Sequence, residues 1–94
     1  MANEQKAGDE APDWLAFEKG QAVPRKRSLT IAGHRTSITL EDAFWSELKA
    51  AAGELGITIT ALASSLDKAR GPASLSAAIR VFLLMRSRDK KGSY

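Results

Sequence analysis

The chain has no cysteine, one histidine, three prolines and only six aromatic side chains among its 94 residues. Without cysteine there is no disulfide framework and no thiolate metal site, and a reducing cytoplasm is the natural compartment. A single histidine cannot hold a metal at ordinary ligand spacing. Nor does His34 have a companion thiol, or a paired carboxylate nearby, for acid–base or nucleophilic work. The sequence therefore predicts neither an enzyme nor a cofactor. No phosphate-binding glycine loop is present, because Gly53-Glu54-Leu55-Gly56 lies at the end of a helical pattern and does not follow a strand. Apolar runs stay well short of the ~20 residues of a membrane span, and no basic-then-apolar leader opens the chain. The expectation is a soluble, intracellular protein.

What is present is asymmetric charge. Residues 1–20 carry Glu4, Asp9, Glu10, Asp13 and Glu18 against Lys6 and Lys19, a net −3, so that residues 21–94 carry +6 of the overall +3. A basic domain behind an acidic arm is the layout expected of a binder of phosphate backbone, which attracts the one and repels the other. Residues 1–24 read as a flexible arm ending at Val23-Pro24. Within it Asp13-Trp14-Leu15-Ala16-Phe17 sets Trp14 and Phe17 at helical spacing, a candidate contact for a protein partner. Residues 25–88 read as the folded domain and 89–94 as a polar tail. A domain of this size buries only about 60% of its unfolded surface, so dimerisation is expected to complete the core.

The domain opens with Arg25-Lys26-Arg27 and two period-two segments, about 28–32 and 35–40, split by Gly33. Alternation sends Ile38 and Leu40 to one face, and Arg35, Ser37 and Thr39 to the other. The two strands either pair as a hairpin within one chain, or the second pairs with its copy in another chain. Three amphipathic patterns follow. The first, from Asp42, carries Phe44, Trp45, Leu48 and Leu55 and stops at Gly56. The second carries Ile59, Leu62, Ala63 and Leu66, with Thr58 or Thr60 as cap and Arg70-Gly71-Pro72 as stop. The third, from near Ser74, carries Leu75, Ile79, Phe82 and Leu83.

A two-stranded antiparallel ribbon is narrow enough for the major groove, where arginine makes a two-pronged bond to guanine and hydroxyls donate or accept. Arg35, Ser37 and Thr39 are accordingly the candidate base readers. Arg25, Lys26, Arg27 and His34 are candidate phosphate contacts, joined by Thr58 and Thr60 at a helix start with its free N–H groups and positive dipole end. The alternative is a protein-interaction or dimerisation adaptor, antitoxin-like in one form, that works through the arm.

Residues 26–86 resemble the ribbon-helix-helix superfamily, and within it a bacterial domain family of small proteins. The resemblance rests on Lys26-Arg27-Ser28-Leu29-Thr30-Ile31-Ala32-Gly33-His34-Arg35-Thr36-Ser37, on Leu40-Glu41, Phe44-Trp45 and Leu48, and on Leu75-Ser76 with Ala78-Ile79-Arg80-Val81-Phe82. It implies a mostly α fold with a short β ribbon, built as an intertwined homodimer whose paired strands enter double-stranded DNA. It also implies a repressor, or plasmid or toxin–antitoxin control. Carried onto this chain, it places Ile38, Leu40, Phe44, Trp45, Leu48, Leu62, Ile79 and Phe82 in a core shared by two copies. Two departures stand out: an extra strand before the ribbon and a third helix after Gly71-Pro72.

Overall fold

A computed structural model describes residue 12 and residues 19–92. A single 3-10 turn, Lys19–Ala22, leads into strand β1, Pro24–Ile31, and strand β2, His34–Glu41. Helices α1, Asp42–Leu55, α2, Ile59–Ala69, and α3, Leu75–Gly92, follow.

The strands pair antiparallel with each other, in a register running from Pro24 opposite Glu41 to Ile31 opposite His34. Of the two pairings open to the sequence, the hairpin within one chain is the one formed. The reason is local. Ala32 and Gly33 both have positive φ, 53° and 81°, the two-residue geometry whose twist matches that of the flanking strands. This tight turn pins the register and lengthens both strands beyond the segments expected from alternation alone.

The pleat then sorts the hairpin. Leu29, Ile31, Ile38 and Leu40 are buried on one face and rest on the helices. There they join Leu48, Ala51 and Ala52 of α1, Leu62 and Ala63 of α2, and Leu75, Ile79 and Leu83 of α3 in one cluster. Phe44, Trp45 and Phe82 are packed against its rim. Leu40, Leu48 and Ile79 are 0% exposed within a single chain. All eight residues expected in the shared core, Ile38, Leu40, Phe44, Trp45, Leu48, Leu62, Ile79 and Phe82, lie in this cluster or against it.

The helix ends from the close of α1 to the start of α3 have physical causes. Gly56, at φ 72°, takes the left-handed position after α1, and the Ile57 amide reaches back to the Ala52 carbonyl at 3.0 Å, the six-to-one closure of a Schellman motif. The Thr58 hydroxyl accepts from the Ala61 amide at 3.0 Å and caps α2. Ser74 does the same for α3 through Ala77 at 3.1 Å. Arg70 holds the intervening loop, donating from Nε to Asp67 at 2.7 Å and from a terminal nitrogen to the Ala73 carbonyl at 2.7 Å. Helix α3 runs through Gly92 and so takes in residues 89–92, which read in the sequence as the start of a polar tail. Arg86 and Lys90 both donate to Glu54 of α1, Lys90 at 3.1 Å, and this clamp holds the last turns against the domain.

Candidate nucleic-acid interface

Along the face of the hairpin turned away from the helices the register sets four cross-strand pairs, Pro24 with Glu41, Lys26 with Thr39, Ser28 with Ser37 and Thr30 with Arg35. The six side chains of the last three pairs are exposed and none of them is acidic, while Glu41, at the end of the row, is bonded by Arg80. Directly paired side chains on one face lie about 5 Å apart, so the surface is a compact ladder of hydroxyls with a cation near each end. Neither Lys26 nor Arg35 has an ion partner among the described residues. Arg35, Ser37 and Thr39 thus lie together and outward. Ser28 and Thr30, absent from the sequence-derived set, complete the same face. Their signal was in the sequence: the alternation of 28–31, once the Ala32-Gly33 turn fixes register, sets them opposite Ser37 and Arg35.

The basic tripeptide is split by the pleat. Lys26 points outward with the hydroxyls. Arg25 and Arg27 lie on the helix side, where both meet Asp42 at the start of α1, Arg25 through Nε at 3.0 Å and Arg27 through a terminal nitrogen. The Arg27 guanidinium also lies over the Trp45 ring, 4.9 Å from its centroid, and its Nε is buried without a hydrogen-bond partner among the described residues. Trp45 therefore serves as a platform for this cation. The Arg27 side chain is only 19% exposed, which makes it a part of the fold more than of the surface. Arg25 remains 56% exposed at the margin of the same site.

A second ion pair borders β2. Arg80 of α3 donates to Glu41 from Nε at 3.1 Å and from a terminal nitrogen at 3.3 Å, and it lies 5.8 Å from the Phe44 centroid. This hydrogen bond, followed by one from the backbone, holds the Glu41 carboxyl below the usual carboxylate range. The Thr39 carbonyl accepts from Ser76 Oγ at 2.9 Å and from Arg80 at 3.4 Å, so α3 occupies part of the free edge of β2.

His34 is exposed beside the hairpin turn, close to Arg35. Thr58 and Thr60 are both exposed, but the Thr58 hydroxyl is already committed to Ala61, which leaves the Thr60 hydroxyl and the first amides of α2 as donors at that end. Trp14 and Phe17, the candidate contacts of the arm, lie outside the described residues. Among the described residues no group of three His, Cys, Asp or Glu side chains could hold a metal, and no helix is long and apolar enough to cross a membrane.

Neither the curated proteins nor the solved structures contain a match to this chain. A family model does match: that of the ribbon-helix-helix domain, over residues 24–86. The match starts at the first residue of β1 and ends inside α3, so it takes in the extra strand and the third helix as well as the ribbon and the first two helices. Proteins of this family are typically DNA-binding regulators or antitoxins, and generally not enzymes. With two thirds of its length under that match and an antiparallel ribbon followed by helices as its fold, this chain belongs to the ribbon-helix-helix domain family.

Proposed function

We propose that this protein is a cytoplasmic, homodimeric transcriptional regulator, acting as a repressor, that lays the outer face of its hairpin in the major groove of double-stranded DNA. The observation that carries the reading is the exposed ladder of Lys26, Ser28, Thr30, Arg35, Ser37 and Thr39, with two cations that have no ion partner among the described residues and the one neighbouring carboxylate, Glu41, paired with Arg80. Two strands about 4.8 Å apart form a ribbon that fits a groove about 12 Å wide. Arg35 offers the two-pronged donor for guanine, and Ser37 and Thr39 supply hydroxyls along the same line, with Ser28 and Thr30 beside them.

Phosphate contacts flank this line. Lys26 reaches the backbone at one end of the ladder, and His34 with the turn reaches it at the other. Arg25 works from the ribbon margin, and Thr60 with the first amides of α2 adds a further donor set beside Thr58. Arg27 contributes long-range positive potential and holds Asp42 neutralised behind the ribbon, so that phosphate does not face a free carboxylate.

Binding of a random-sequence duplex, followed by fluorescence anisotropy across a salt series, tests this. Affinity falls steeply with salt in proportion to the phosphates neutralised, and Lys26→Ala lowers the logarithmic slope by about 1. Absence of binding at low salt contradicts the reading.

A further inference from the structure

Each end of the outer ladder carries a cation that no described residue neutralises. Lys26 stands near the start of β1 and Arg35 next to the turn, and neither has an ion partner among the described residues. Four residues of strand separate the two positions along the register, about 14 Å at the usual rise. The carboxylates that flank the hairpin are occupied. Glu41 is bonded by Arg80, Asp42 by Arg25 and Arg27, and Asp67, which shares a groove with Ser37 and Thr39, by Arg70. The other described cations without an ion partner, Lys49, Lys68 and Arg88, are dispersed one to a helix. The ladder thus gathers unpaired positive charge on a single exposed face, with His34 beside it.

The chain carries an anion of its own that fits this face. Residues 1–18 hold Glu4, Asp9, Glu10, Asp13 and Glu18 against Lys6 alone, a net −4, so that residues 19–94 carry +7. The segment enters the fold through the turn Lys19–Ala22 and reaches β1 at Pro24, on the Lys26 end of the ladder. From Pro24 to Thr30, the partner of Arg35, is about 20 Å along the strand. A chain of 18 residues spans up to about 60 Å when extended and about 20–25 Å on average as a coil. Its carboxylates therefore reach both cations. Tethering holds them around the ladder at an effective concentration on the order of millimolar.

We infer that the acidic arm, residues 1–18, docks on the outer ladder as an intramolecular substitute for phosphate, its carboxylates facing Lys26 and Arg35, so that duplex DNA must displace it. The contact itself stands on charge and reach; its consequence rests on the DNA-binding reading above and adds a regulation to that site. An arm that covers the face about four-fifths of the time leaves about one molecule in five open, which weakens every duplex about 5-fold and leaves the preference among sequences unchanged. Salt screens the arm contact as well as the phosphate contact. The intact chain therefore loses affinity with salt less steeply than a chain whose arm is uncharged.

Two full-length chains test it, the wild type and one carrying Glu4→Gln, Asp9→Asn, Glu10→Gln, Asp13→Asn and Glu18→Gln. Because the sequence has no cysteine, Ala7→Cys places a single spin label on the arm of either. Without DNA at low salt, the label on the wild-type arm broadens the amides of Lys26, Thr30, Arg35 and Ser37 more than those of Lys49, Lys68 and Arg88, and the selective broadening is lost in the neutralised chain. By anisotropy the neutralised chain binds a random-sequence duplex about 5-fold more tightly at low salt, the ratio falling toward one at about 1 M, where the screening length is about 3 Å. Broadening that is even over the domain, or the same in both chains, overturns the arm contact whatever the affinities. Selective broadening with equal affinities overturns the competition. Selective broadening with no duplex bound by either chain overturns the DNA-binding reading and leaves the arm contact standing.

Discussion

At the scale of single residues, alternate positions of β1 do opposite jobs. Arg27 stacks on Trp45 and pairs with Asp42, whereas Lys26, one residue earlier, has solvent on its side of the sheet. Arg27→Ala should therefore destabilise the fold by about 1–2 kcal/mol, the sum expected of a half-buried cation–π contact and a partly exposed ion pair. Lys26→Ala should leave urea unfolding unchanged and weaken only DNA binding. Arg35→Ala belongs with Lys26: no change in stability, and a loss of about 1–3 kcal/mol on a specific site. Leu40, 0% exposed, is the opposite extreme, and Leu40→Ala should cost about 2–5 kcal/mol by leaving a cavity. The alternation of residues 35–40 made the outward set legible from sequence. The tripeptide did not disclose its own division, since three consecutive cations look alike until register fixes which of them faces the helices.

At the scale of elements, the hairpin and α3 each carry a feature that can be tested. The turn places Ala32 at φ 53°, a conformation that costs an ordinary L-residue about 1–2 kcal/mol and that asparagine tolerates better. Ala32→Asn should raise stability by about 0.5–1 kcal/mol, read as a higher urea midpoint at unchanged slope. In α3 the hydrogen bonds from Lys90 and then Arg86 hold the Glu54 carboxyl below the usual carboxylate range. A carboxyl lowered on folding stabilises the native state above its unfolded value and ceases to do so as pH falls through its folded value. Wild type should accordingly have a higher melting temperature than Glu54→Gln at pH 7, the difference closing on acidification below about pH 4.5, where Glu54 ionises in unfolded chains. Three helical periods and their glycine and hydroxyl boundaries were readable from the sequence. The length of α3 was not, because residues 89–92 are polar and their order comes from Glu54, more than 30 positions away.

At the scale of the whole molecule, the resemblance pointed to the family that the chain belongs to. Ile38, Leu40, Leu48, Leu62 and Ile79 are interior positions, as an apolar pattern implies, but pattern alone does not say whose interior. Here β1 pairs with β2 within one chain and α3 packs on the core. Arg25, Arg27, Arg70, Arg80 and Arg86 are paired with Asp42, Asp67, Glu41 and Glu54, while Lys26 and Arg35 on the outer face of the hairpin have no ion partner among the described residues. The most direct measurement is backbone-amide chemical-shift mapping of the full chain titrated with a duplex. The account predicts shifts concentrated at Lys26, Ser28, Thr30, Arg35, Ser37 and Thr39, with the buried positions between them moving less. Shifts confined to the helices, with the hairpin unmoved at saturating duplex, would contradict it.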